Sequence, residues 1–139
     1  MDIGLKYLDY LQAAITRMAA NGFTAKGWSI TLATALLGIS VKDGNNQFAL
    51  VGLVPVLLFW SMDAYFLALE RRFRSLFNDA AAAVVADAPV SAQMSVGKLG
   101  LRDMAAAAVR PAVLVIHGTL AATLLIAFLL LQLNGVGAS

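Results

Sequence analysis

The sequence predicts an all-α integral membrane protein, with three transmembrane helices preceded by an amphipathic N-terminal helix. Three observations carry this. Pro111–Leu133 is a run of 23 residues without a charged side chain. As a helix at ~1.5 Å per residue it would reach ~34 Å, enough to cross the roughly 30 Å hydrocarbon core of a bilayer. The chain is 60% hydrophobic and only 13% charged, with a mean hydropathy of +0.80, where a soluble domain of 139 residues would carry more charge. The apolar runs also lack the alternation of barrel strands, and lipid cannot satisfy exposed backbone groups, so the spans must be helices.

Residues 2–21 read as the amphipathic helix. Asp2 can cap it. Leu8, Leu11, Ile15 and Met18 recur at three- and four-residue spacing, with Lys6, Asp9, Gln12 and Arg17 as polar surface. Tyr7 and Tyr10 suit a membrane interface. The helix either lies along the membrane or packs on neighbouring protein. It lacks the basic start, apolar run and small-residue cleavage site of a signal peptide. Asn21-Gly22 predicts a break.

The first span, 24–41, is rich in small and hydroxyl residues: Ser29, Thr31, Ala33, Thr34, Ala35, Gly38 and Ser40. Such residues favour close helix contact. Lys42 to Gln47 is a polar turn that sends the next helix back antiparallel. The second span, 48–77, is free of charge until Asp63, stays apolar to Leu69, and continues as a cytoplasmic extension. Pro55 predicts a bend in it. The connector 78–109 is alanine-rich, with helical candidates at Asp79–Ala86 and Leu101–Val109 separated by Pro and Gly. It is too short to build its own core. The third span, 111–133, opens on Pro111, a favoured first helical residue.

Charge orients the spans. Six of the ten Lys/Arg residues lie from Arg71 to Arg110, three (Lys6, Arg17 and Lys26) lie before Gly27, and only Lys42 lies in the short turn. The positive-inside rule therefore places the N-terminus and the connector in the cytoplasm, and the C-terminus outside. Arg71, Arg72 and Arg74 are topology charges or lipid-headgroup contacts. Trp28 and Trp60 are expected as interface anchors.

Asp63 is the leading candidate for chemistry, because a carboxylate inside a membrane must be paired, hydrated or protonated. It lies seven residues before Glu70, ~10 Å inside the boundary. A hairpin closed by Val41 and Phe48 sets Lys26 opposite it. His117, seven residues inside Arg110, sits at similar depth on the third helix. Lys26, Asp63 and His117 form an intramembrane polar layer, serving either as a structural lock or as a water-accessible site for ions or protons. Gly118, Ala121 and Ala122 form a small helix-packing face on the third span, which points to a homo-oligomer because three helices enclose too little space for a pathway.

Other classes find no support. Cysteine is absent and there is one histidine, so thiol chemistry and multi-histidine metal sites are excluded. No phosphate loop or EF-hand pattern occurs, no cofactor is implied, and a net charge of +2 is too weak for nucleic acid. No serine has an evident basic partner, so an enzyme is not expected; one acting on lipid is a distant third reading.

The run Phe59-Trp60-Ser61-Met62-Asp63-Ala64-Tyr65-Phe66-Leu67-Ala68-Leu69-Glu70-Arg71-Arg72-Phe73-Arg74, with Ile15 to Phe23 and Lys26-Gly27-Trp28 upstream, is similar to a group of small bacterial multi-span membrane proteins. The likeness covers roughly residues 10–77; the connector and third helix match loosely. The resemblance implies a membrane-embedded accessory protein. It further implies an effector of anti-phage systems, triggered by a sensor and damaging the inner membrane. Two functions follow as expectations: a membrane-perturbing or pore-forming effector, or a non-catalytic anchor or structural subunit that recruits a cytoplasmic partner.

Overall fold

The computed structural model describes residues 3–136. They form five helices: α1 (Ile3–Asp43), α2 (Asn46–Val51), α3 (Leu53–Val85), α4 (Leu101–Ala108) and α5 (Pro111–Val136). No strand occurs among the described residues. Asp2, expected as a cap, lies outside them.

α1 corrects the expected division at its start. The helix of 2–21 and the span of 24–41 are one helix of 41 residues, ~60 Å long. Asn21-Gly22 does not break it. Gly22 is buried, and a Cβ there would stand 2.8 Å from Asp63 Oδ1. Glycine is present for close approach, and packing on α3 carries the helix through it. The buried face runs Gly4, Tyr7, Leu11, Ala14, Gly22, Ala25, Ser29, Ala33 and Ser40. Steps of three and four residues keep these on one side, and most are small enough to let two backbones come together. The N-terminal part therefore packs on protein rather than lying along a surface. Tyr7 is buried, not interfacial, and its hydroxyl donates to Gln93 O at 2.7 Å. Tyr10 is exposed.

A two-residue turn reverses the chain. Gly44 takes φ +62°, Gly44 N–H bonds Val41 O, and Asn45 N–H bonds Ser40 O at 3.1 Å. This is a Schellman ending. Asn45 then caps α2, its Oδ1 accepting from Gln47 N–H at 3.0 Å. Pro55 has no N–H to bond Val51 O, so the helix is interrupted at Gly52, between α2 and α3, rather than merely bent. α3 continues far past the expected 77, absorbing the separate candidate 79–86, and ends at Val85. Ala88 N–H bonds Ala83 O at 2.9 Å, with Asp87 at φ 53°, a second Schellman ending before Pro89.

α1 and α3 run antiparallel over almost their whole lengths. One end holds Ala33 and Val56 with Leu124 of α5, joined by Leu37, Leu53 and Leu120. The other holds Tyr7, Leu11 and Ala80, with Phe73, Leu76 and Phe77. α4 lies on α3 through Ala107 against Ala64 and Ala68. α5 adds the third helix through Val113, His117 and Leu124.

Two helical stretches are long and apolar enough to cross a membrane: Asn46–Val85 and Pro111–Gly135. The expected third, 24–41, is not among them. Its Gly27, Ser29, Thr31, Thr34, Gly38 and Ser40 lower its hydropathy, and these are the residues that suit it to packing.

The two kinds of glycine in α1 separate in a mutational test. Gly22→Ala should destabilise by about 1–3 kcal/mol through overpacking against Asp63. Gly38→Ala, where a Cβ meets nothing within 4 Å, should gain about 0.5–1 kcal/mol of helix propensity. Thermal unfolding in detergent reads both; a neutral Gly22→Ala would contradict the close approach.

Candidate functional site

The three polar residues expected at one depth meet at one point. Lys26 Nζ lies 2.8 Å from Asp63 Oδ1 and 2.7 Å from Oδ2. His117 Nε2 lies 3.1 Å from Asp63 Oδ2. Each comes from a different helix: α1, α3 and α5. Asp63 is 1% exposed and His117 0%, while the Lys26 side chain keeps 18% of its surface. A carboxylate buried to this degree is tolerable only with its lone pairs satisfied and a counter-charge in contact. Both conditions hold, and no buried side-chain polar atom among the described residues lacks a partner.

The network extends to Ser29, expected only as a small packing residue, and to Trp60, expected as an interface anchor. Ser29 Oγ, fully buried, stands 3.1 Å from His117 Nδ1. It lies three residues after Lys26, on the same face of α1, and that spacing was the available signal. Trp60 stacks on the His117 ring with centroids 6.1 Å apart and planes 12° from parallel. Its indole N–H donates to Ala108 O at 3.0 Å. Trp60 thus serves the network and the end of α4, not an outer anchor. Trp28 is 55% exposed and lines an outer groove with Phe59, Met62 and Phe66.

Because a carboxylate oxygen only accepts, Nε2 of His117 carries a hydrogen toward Asp63. Nδ1 of the neutral ring then accepts from the Ser29 hydroxyl. The chain Ser29–His117–Asp63 has the connectivity of a nucleophile, base and acid. Its setting does not suit acyl transfer: Ser29 is buried mid-helix, where the surrounding backbone N–H groups are engaged and none is aimed at a developing oxyanion. No group of three or more metal-ligating side chains occurs among the described residues.

A cavity of about 110 Å³ reaches this network from one side. Met18, Ala19, Gly22, Leu67, Glu70 and Ala112 line it, with Lys26 and Asp63 at its inner end. The opposite side is closed by the cluster of Ala33, Val56 and Leu124. The site is open toward the Glu70 end and sealed toward the Gly44 turn.

The arginines divide. Arg74 Nη2 pairs with Glu70 at 2.7 Å within α3. Arg72 reaches across to Asp103 of α4 at 2.9 Å, and Arg71 lines the adjoining cleft with Ala68 and Ala106. Asp103 also accepts from Gly100 N–H at 3.0 Å. That backbone bond first, and the Arg72 guanidinium second, hold its carboxyl below the ordinary value. Of the small face on α5, Ala121 packs into the Val56–Leu124 cluster. A Cβ at Gly118 would meet only Leu114 of its own helix, and Ala122 is exposed.

No family model, curated protein or solved structure matches the chain.

Removing Lys26 leaves a buried carboxylate without its counter-charge. Lys26→Met should cost about 3–5 kcal/mol. Asp63→Asn should cost less, since the amide oxygen still accepts from His117 and Lys26 can turn to the cavity. The double variant should cost less than the two added; simple additivity in detergent unfolding would show that the pair is not coupled.

Asp103 gives a pH dependence. A lowered folded-state value means its contribution is present above the ordinary carboxylate range and is lost as pH falls through the lowered value. The protection of α4 amides relative to intrinsic exchange at the same pH should hold at neutral pH and fall in strong acid. Asp103→Asn should make exchange fast at neutral pH; unchanged protection would remove this tie from α4.

Proposed function

We propose that the chain is a small integral protein of a bacterial inner membrane that assembles into a homo-oligomer and acts as a membrane-perturbing or pore-forming effector. The observation that carries this is the Lys26–Asp63–His117 network: a buried charged site, open to a cavity on one side only, inside an otherwise apolar bundle. Ionisable groups in such a place serve passage or gating more often than they serve cohesion, since an apolar filling would hold the helices as well.

Several features support the membrane setting. Only 22% and 17% of the apolar windows in Asn46–Val85 and Pro111–Gly135 are buried, too little for core helices of a soluble fold. Leu57, Leu58, Leu125, Ile126, Leu129 and Leu130 face outward, a patch that needs an apolar cover. In this reading α1 crosses as a third span, because it follows α3 throughout, and its small residues are shielded by that partner. The excess of Lys/Arg at the N-terminus and connector puts both in the cytoplasm, with the Gly44 turn and the C-terminus outside. One copy encloses no through-path, so the sealed bundle is a resting protomer, and Gly118 and Ala122 are available to another copy. The resemblance of residues 10–77 to small membrane proteins of anti-phage systems extends the reading to phage defence, with a cytoplasmic sensor as trigger.

A second reading, a membrane anchor for a cytoplasmic partner, draws on the stalk. Past Glu70, α3 runs to Val85 beside the start of α1, reaching ~22 Å beyond the boundary. A cleft of about 330 Å³ lined by Tyr7, Ala83, Pro89 and Ser91 lies at its end.

Because cysteine is absent, topology can be read cleanly. Asn45→Cys should react with an impermeant thiol reagent added to intact cells, and Ser91→Cys should not; labelling at Ser91 would reverse the orientation. Induced expression of the intact chain should admit an impermeant dye or collapse the membrane potential. Gly118→Leu should abolish this and shift the detergent-extracted species to smaller mass. Unaltered permeability on expression of the intact chain, with a stoichiometric soluble partner copurifying, would favour the anchor.

A further inference from the structure

His117 has a hydrogen-bond partner at each ring nitrogen in either protonation state. With the neutral ring, Nε2–H donates to Asp63 and Nδ1 accepts from Ser29 Oγ. A proton added at Nδ1 makes that atom a donor as well. Ser29 can then accept it and turn its own hydrogen to the carbonyl one helical turn earlier in α1, a habit of helical serine. Neither state leaves a buried polar atom unbonded.

The charges facing the ring also allow the change. From α1 come Lys26 and the neutral Ser29, and from α3 come Asp63 and the Trp60 ring. α4 contributes only the Ala108 carbonyl, through Trp60. Glu70, paired with Arg74, stands at the mouth of the cavity. Lys26 and Asp63 cancel, so an imidazolium would sit beside a carboxylate and under the face of an indole, both of which attract it. Water has room in the cavity, which ends at Asp63 in contact with the ring, and polar walls to bind it. The Val56–Leu124 cluster offers no polar atom on the other side.

We propose that His117, held between Asp63 and Ser29, is a proton-binding site that exchanges protons with only the Glu70 side of the bundle. The cavity ends at Asp63, and the ring nitrogen without a hydrogen, Nδ1, faces Ser29, so the proton transfers when the imidazole turns Nδ1 toward Asp63 and the cavity; it then rests on that nitrogen, and the network charge rises from neutral to +1. No other bond is made or broken. The proposal rests on the membrane reading for its sidedness, which makes the site responsive to the cytoplasmic face; the binding itself does not depend on permeation.

The chain has two tryptophans, so Trp28→Phe leaves Trp60 as a reporter stacked on the ring. A protonated imidazole quenches a stacked indole. In the full-length Trp28→Phe chain in detergent, Trp60 emission should fall in a single step as pH is lowered. Adding His117→Gln should abolish the titration. Ser29→Ala should move the midpoint to lower pH, because the imidazolium loses the stronger of the two bonds to that oxygen. In proteoliposomes, Ala19→Leu at the cavity mouth should slow quenching after a pH jump. Emission independent of pH in a chain that circular dichroism shows helical would overturn the proposal, as would a titration that survives His117→Gln or an unmoved midpoint in Ser29→Ala. An unchanged rate in Ala19→Leu would overturn the one-sided route. An intact titration in a chain that permeabilises nothing would remove the effector reading and leave the proton site standing.

Discussion

The buried carboxylate of Asp63 is the constraint around which the other helices are arranged. Removing a carboxylate from water costs several kcal/mol even after relaxation, and nothing on α3 itself repays this. The compensation comes from α1 and α5: Lys26 brings charge, His117 brings a donor, and Ser29 completes the ring of His117. Gly22 brings nothing at all, and that is its contribution, because a methyl group there would stand only 2.8 Å from Asp63 Oδ1. Small-residue faces let helices approach closely but tolerate sliding. A slide of one residue moves a side chain ~1.5 Å along the axis and about 100° around it, which no member of this network could follow. The polar contacts fix register, and the Ala and Ser faces supply proximity.

Depth was legible in the sequence, and proximity followed from depth. The distance of Asp63 from Glu70, of His117 from Arg110 and of Lys26 from the Gly44 turn could be counted along helices of known rise, and the three side chains do meet. Rotation about each helix was less legible. Ser29 and Trp60 lie at the same depth as the others, but nothing in composition distinguishes an inward tryptophan from an interfacial one. The break read at Asn21-Gly22 had a specific cause: Asn-Gly is a turn signal in isolation, whereas here glycine answers a tertiary demand. A local propensity of ~1 kcal/mol is overridden when the alternative is an unpaired buried charge. Pro55 had the reverse fate, acting where its missing N–H falls and separating α2 from α3.

The bundle differs at its two ends. Toward the Gly44 turn the contacts are apolar and tight, and Gly52 admits the Leu124 side chain to where a Cβ would stand 3.1–3.2 Å from its methyls. Toward Glu70 the three helices part enough to leave the cavity. The same amino-acid classes thus make a seal and an entrance. Glycine beside a leucine closes the space, whereas alanine and glycine beside Lys26 and Glu70 leave room for water. Lys26 lines the cavity and keeps 18% of its side-chain surface, which spares the network full desolvation.

α4 shows how little holds the connector to this core. Its buried residue is an alanine, set against two more alanines of α3, so its apolar area is small and its hydrophobic gain correspondingly slight. The Arg72–Asp103 bridge is partly exposed on both sides, a type of contact that contributes little. The remaining tie is the indole N–H of Trp60 to Ala108 O. The Trp60 ring is itself placed by stacking on His117, which is placed by Asp63. The position of α4 therefore depends on the buried network through a single side chain, and the helix start at Pro111, three residues after Ala108, inherits that position. A change in the imidazole reaches the connector through Trp60 without requiring α1 or α3 to move.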